Sequence, residues 1–290
     1  MRPGRHMEKS TEILLWVYGV GLAGMLLPFS RELFITITPL NLLFAALFLF
    51  YGRWPSPRVL ITGLAVFAAS FLVEAVGVNT GKIFGSYSYG SALGPKLWNT
   101  PVIIGLNWFV LIYCTNVISR QLWDLMPDKL IHGRKAAVQR GSAVRRDDAL
   151  QPGSAASRED LLPPGSATSH DDSPLPRTAA SRDDAQQAVS EASPHFAWKS
   201  AFIIITGSLL MVLYDLFLEP AAIRLDMWSW EGGIIPLRNY AGWFLFSALF
   251  HSVVRLAGEE RINSRALPLF AVQMAFFAVT DIFYLLSEWF

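Results

Sequence analysis

One cysteine, Cys114, occurs in 290 residues, so the chain can build neither a disulfide framework nor a thiolate metal site. Charge is also scarce. Asp, Glu, Lys and Arg together reach 16% against 52% hydrophobic residues, the balance of a protein embedded in a bilayer. The formal net charge is +1 and the basic residues are scattered over loops, which leaves no basic face for nucleic acid. There is no Gly-rich phosphate loop after a strand and no Gly-x-Ser-x-Gly elbow, so nucleotide binding and serine hydrolysis have no support. Of the five histidines only His251 falls in an apolar segment. No HExxH spacing surrounds it, and it reads as a packed or interfacial histidine rather than a metal ligand. The last apolar segment lacks a lysine, so a Schiff base has no anchor there.

What the chain does have is long apolar runs. About seven segments, near 12 to 30, 33 to 51, 59 to 78, 100 to 119, 199 to 218, 237 to 256 and 266 to 286, have the roughly 20 residues needed to cross ~30 Å of hydrocarbon. The expected fold is an all-α polytopic membrane bundle. The second span carries Pro39 and Asn41 and is expected to be kinked, and Pro220 is expected to stop the fifth. Arg2, Arg5, Lys9, Arg53, Arg58, Arg120, Lys129, Arg134, Lys135, Arg255, Arg261 and Arg265 fall on one side; Arg31, Lys82, Lys96, Arg224 and Arg238 fall on the other. The richer side should be cytoplasmic, which places the protein in the cell membrane with its amino terminus inside and its carboxyl terminus outside.

The chain accordingly divides into a cytoplasmic tail (1 to 11), spans one to four (12 to 120), a polar linker (121 to 198) and spans five to seven (199 to 290). The linker holds four twelve-residue repeats, GSAVRRDDALQP, GSAASREDLLPP, GSATSHDDSPLP and RTAASRDDAQQA. Each has too little apolar surface to offset chain entropy, so the linker is expected to be disordered. A short solenoid is the other reading, but the repeat is under twenty residues and has no hydrophobic face.

Carboxylates inside apolar runs mark the candidate site. Glu74 near the outer end of span three, Asn107 in span four, Asp215 in span five and Asp281 in span seven share one depth. Ionisable residues at such depth are functional by default, with a snorkelling or interfacial glutamate as the bland alternative for Glu74. Glu219 stacks on Asp215 at i, i+4. Tyr87, Tyr89, Trp98, Trp108, Trp228, Trp230 and Trp243 crowd the same mouth. Singly these rings fit an aromatic belt; as a group around carboxylates they fit a surface that stabilises cations.

Two stretches, VEAVGVNTGKIFGSYSYGSALGPKLWNTPVIIGLNW and LYDLFLEPAAIRLDMWSWEGGIIPLRNYAGWF, resemble the membrane-embedded carotenoid 1,2-hydratases, the family that includes gamma-carotene and bisanhydrobacterioruberin hydratases. The resemblance rests on Glu74 with GVNTG, on FGSYSYG, on PVIIGLNW, on the Asp215 to Pro220 element and on the WSW and GWF pairs; RNYAGWF departs slightly from the usual pattern. It implies addition of water to the terminal double bond of an acyclic or monocyclic carotenoid, giving a tertiary alcohol, with no cofactor. The implied partners are that carotenoid, water, the bilayer and other enzymes of carotenoid biosynthesis. Glu74, Asp215, Asn107, Asp281 and Glu219 would then be catalytic, one acid giving the proton and another supporting the cation. Tyr87, Tyr89, Trp108, Trp228, Trp230 and Trp243 would line the substrate. A cyclase that begins with the same protonation, and a carotenoid or lipid binder or transporter, are the rival readings.

Deletion of residues 141 to 188 is expected to leave membrane insertion intact, since lengthening or shortening a long loop changes closure entropy little; loss of folded protein would make the repeats a domain. Reporters fused after Lys135 and at Phe290 should report opposite sides of the membrane.

Overall fold

The computed structural model describes residues 3–52, 54–126, 194–258 and 263–287. The repeats between 141 and 188, and most of the expected linker, lie outside the described residues. In chain order the elements are α1 (Pro3–Leu26), α2 (Arg31–Thr36), α3 (Thr38–Phe50), α4 (Pro57–Thr80), β1 (Tyr87–Tyr89), β2 (Lys96–Leu97), β3 (Thr100–Pro101) and α5 (Ile103–Asp124). They continue with α6 (Pro194–Arg224), β4 (Trp228–Trp230), a 3-10 turn at Glu231–Gly233, α7 (Leu237–Leu256) and α8 (Ala266–Ser287). Met1–Leu125 and Ser200–Phe290 form one compact unit.

The architecture is an all-α membrane bundle, with helices at all seven expected positions. Four of them, α4, α5, α6 from Phe196 to Arg224, and α8, are long and apolar enough to cross a membrane. Burial separates their roles. Within the apolar window of α5, 78% of residues are buried, against 33% for α4 and for α8. So α5 is the post around which the others stand, and it packs against α3, α4, α7 and α8. The outward faces of α4 and α8 are left to lipid.

Local sequence explains the ends of α4. Ser56 accepts a hydrogen bond from the Val59 N–H at 3.2 Å, and Pro57 follows at a position where a missing N–H costs nothing. At the other end Gly81 takes φ 64°, and its N–H closes on the Gly77 carbonyl at 2.8 Å. Helices α4 and α5 meet through small residues, as membrane helices do when backbone approach replaces the hydrophobic drive. A Cβ added at Gly105 would lie 2.6 Å from the Phe67 carbonyl oxygen, and one at Gly63 would lie 2.6 Å from the Phe109 ring.

The structure corrects several expectations. The second span is two helices broken at Ile37, with Pro39 in the first turn of α3, where its ring fits. At 13 residues α3 reaches only about 20 Å. Pro220 does not stop its helix: α6 runs through it to Arg224. The extra turn buries Ala221 and Ala222 completely, and the Met227 N–H bonds back to the Ala222 carbonyl at 2.9 Å. That packing outweighs the one backbone bond a proline forgoes. Residues 100 and 101, expected in span four, instead form β3, paired with β2. Helices α5 and α6 extend the neighbouring spans into the expected linker, to Asp124 and from Pro194.

Gly105→Val should lower the yield of monodisperse protein in detergent and its melting temperature, because the obstacle is backbone; overpacking of this kind costs about 1–3 kcal/mol. Gly63→Ala should be milder, since the Phe109 ring can swing aside.

Candidate active site

Glu74 lies on α4 a turn and a half before its end and is 4% exposed. Three donors converge on it. Trp108 Nε1 donates to Oε1 at 2.9 Å, and the hydroxyls of Tyr87 and Tyr89 contact Oε2 at 2.6 and 2.7 Å. Glu219, 2% exposed on α6, is held in the same manner. Trp228 and Trp230 donate their Nε1 hydrogens to its Oε2 at 2.9 and 2.7 Å, and Asn239 Nδ2 donates to Oε1 at 3.0 Å. The same Asn239 nitrogen reaches Asp215 Oδ2 at 2.7 Å. Asp215 is fully buried, and its Oδ1 has no hydrogen-bond partner.

The two arrangements are copies of one plan. In each hairpin a helix bearing the acid (α4, α6) leads into a three-residue strand, and a second helix (α5, α7) leads away. Pro101 precedes Trp108 by seven residues, as Pro236 precedes Trp243. Strands β1 and β4 pair antiparallel, Tyr87 opposite Trp230 and Tyr89 opposite Trp228. Ser88 and Ser229 stand at the centre with their Oγ atoms 3.2 Å apart. Alternation along a strand sends both serines outward and all four rings inward. Trp108 and Trp243 stack with centroids 4.5 Å apart.

Between the two hairpins lies a small cavity, about 20 Å³ of free space, walled by Glu74, Glu219, these rings, Asn107 and Asn239. Phe84, 2% exposed, closes one side, seated between Gly77 and Gly242; a Cβ on either glycine would come within 2.8 Å of its ring. Gly90 lets β1 meet the chain after α6, its N–H bonding the Met227 carbonyl at 2.9 Å where a side chain would strike the Asp226 backbone. Asn107 Oδ1 is buried with no partner. Among the described residues no Lys or Arg lines the cavity. Burial pushes the Tyr87 and Tyr89 phenols well above their usual range, so both keep their protons near neutral pH. Acceptor oxygens and π faces around an uncharged substrate suit the appearance of positive charge on it. Further along the α4–α5 seam a narrow crevice with about 30 Å³ of free space, lined by Val59, Val66, Phe109, Ile112, Val254 and Arg120, carries no carboxylate.

The cavity therefore gathers Glu74, Glu219, Asn107, Tyr87, Tyr89, Trp108, Trp228, Trp230 and Trp243 from the sequence reading. Asp215 stands one layer behind, tied in through Asn239. Asp281 is elsewhere: half-buried on α8, within electrostatic reach of Arg224. Trp98 is 61% exposed and lies against Phe71. Asn239 and Phe84 were not anticipated. The signal for Asn239 was present, an amide in an apolar span four residues before a tryptophan, but only the fold shows that it bridges two acids. His251 is buried far down α7 beside Thr115 Oγ1 (3.2 Å) and Asn116 Nδ2 (3.4 Å), as a packed histidine.

No curated protein and no solved structure matches the chain. A family model described as carotenoid biosynthesis protein matches residues 34–158 and 179–288, which takes in both hairpins and every residue of the cavity. On that match the chain belongs to the carotenoid biosynthesis protein family.

Proposed function

We propose that the protein is a carotenoid hydratase, adding water across the terminal 1,2 double bond of an acyclic carotenoid end group to give a tertiary alcohol. One observation carries the reading: two cavity-facing carboxylates, each held by three donors, face each other across a shell of aromatic rings with no basic residue among the described lining. An alkene is a weak base, so its protonation needs a carboxylic acid kept from water, and the cation formed needs π faces and an anion nearby. The cavity supplies these in one place. The free space between the carboxylates, about 20 Å³, admits a water-sized group, so entry of an end group requires the surrounding side chains to part. Asn107 orients the attacking water in this reading, which its bare buried oxygen on the cavity wall supports. The Lys and Arg bias supports a cytoplasmic amino terminus and an extracytoplasmic site.

Acid chemistry at the end group is common to hydration and cyclisation, and isotopes separate them. Product formed in heavy water labelled with heavy oxygen should carry solvent oxygen on the tertiary carbon and solvent hydrogen on its neighbour, read by mass spectrometry. Solvent hydrogen without oxygen, and no gain of one water of mass, would make the protein a cyclase. Carotenoid returned unchanged by well-folded protein, across several acyclic substrates, would leave only binding or transport. Glu74→Gln should reduce turnover by about two orders of magnitude or more at near-normal protein level, and Asp215→Asn, one layer behind the cavity, should reduce it less. Trp228→Phe and Trp230→Phe should be milder, because the π face remains.

A further inference from the structure

The two half-sites share a plan but differ in the kind of donor each offers its carboxylate. Glu219 is held by two indole N–H groups and an amide N–H. All three contacts come from N–H groups that donate only, so none of them can turn round to accept a hydrogen from this carboxylate. Glu74 has one such donor, the Trp108 indole, and two phenols on Oε2. A phenol both donates and accepts, so a hydrogen on Glu74 Oε2 keeps its partner by turning the direction of one bond. The Tyr-Ser-Tyr strand can serve either protonation state; the Trp-Ser-Trp strand serves one.

The position four residues before each acid also breaks the symmetry. Before Glu74 it is Ser70, whose hydroxyl is spent on the Phe67 carbonyl at 3.2 Å. Before Glu219 it is Asp215, which shares the Asn239 nitrogen and leaves Oδ1 buried and bare. Two carboxylates on one amide in a dry interior cannot both be charged without large cost, and the bare oxygen of Asp215 is where a hydrogen fits. Asp215 is then a neutral neighbour that fixes Asn239, while Glu219 keeps the charge.

Resting on the hydration reading for its substrate, we propose that Glu74 carries the proton given to the alkene and that Glu219 is a fixed anion facing the cation, with Asp215 as a positioning residue. The step balances on one acid. The O–H bond of Glu74 breaks as a C–H bond forms at the less substituted alkene carbon, leaving positive charge on the tertiary carbon opposite Glu219. Water then forms the C–O bond, and its surplus proton passes to Glu74, which is restored. Asn107 and Glu219 orient that water without changing their own protonation.

The assignment can be read in the full-length protein without substrate, by infrared spectroscopy of protonated carboxyl C=O stretches in light and heavy water. Glutamate and aspartate labelled with heavy carbon should each move one such component, from Glu74 and from Asp215. Glu74→Gln and Asp215→Asn should each delete one, and Glu219→Gln should delete neither. Tyr87→Phe and Tyr89→Phe, mild changes expected to fold, should shift the glutamate component, whereas Trp230→Phe should leave it in place. A glutamate component lost in Glu219→Gln, or moved by Trp230→Phe and indifferent to the tyrosines, overturns the proposal. With a carotenoid in heavy water, Glu219→Gln should still place deuterium on the end group while hydrating at least tenfold more slowly, and Glu74→Gln should place none. If wild type leaves every carotenoid unchanged while the infrared pattern holds, the reaction is wrong and the location of the proton stands.

Discussion

Three carboxylates inside an apolar bundle set the terms for everything around them. Glu74, Asp215 and Glu219 are 4%, 0% and 2% exposed, so water does not solvate them and the protein must. Helices cannot do this with their own backbones, because every N–H in a helix interior is already committed. The donors are side chains: Trp108 and Asn239 come from α5 and α7, and the other four from two strands of three residues whose pairing fixes where four rings point. If β1 and β4 did not pair, the indoles and phenols would have no reason to converge at the depth of the acids. The ribbon is small, yet the placement of the carboxylates depends on it.

That dependence explains the glycines of the motifs without appeal to flexibility. Gly77 and Gly242 seat the Phe84 ring from two sides, and Gly90 admits the chain that follows α6. Each is a contact distance rather than a loose joint. Gly81, at φ 64°, and Gly85, at φ 128°, are instead required by their backbone angles, where the chain ends α4 and turns toward β1. Between them these residues bring the end of one hairpin against the start of the other, and the cavity is the space that remains.

A family whose members act on long apolar molecules has reason to build its site in this way. A carotenoid dissolves in the same bilayer as the protein, so under the proposed reaction a soluble entrance is unnecessary and the end group reaches the polar pocket sideways among helices. A pocket with carboxylates, aromatic rings and no lining cation among the described residues favours positive charge over negative. Two half-sites of one plan, differing in Tyr against Trp, offer two carboxylates in unlike settings. Unlike settings are what acid chemistry on a neutral alkene requires.

Composition and apolar runs were enough to determine the membrane bundle and where along the chain its helices fall, and they set Glu74, Asn107, Asp215 and Asp281 at one expected depth, because hydrocarbon thickness imposes a length and penalises charge in every membrane helix alike. Depth is one coordinate only. It placed Asp281 in the same layer, and the fold puts it on α8 outside the cavity, since direction around the helix axis is set by packing. Pro220 looked like a stop from local chemistry and became an interior residue once Ala221 and Ala222 had a surface to bury against. The alternation in Tyr-Ser-Tyr and Trp-Ser-Trp was visible, but three residues do not form a strand by themselves. Their pairing across 141 residues of chain, the bridge that Asn239 makes between two acids and the stacking of Trp108 on Trp243 were decided by tertiary structure alone, because each depends on two distant segments arriving at one place.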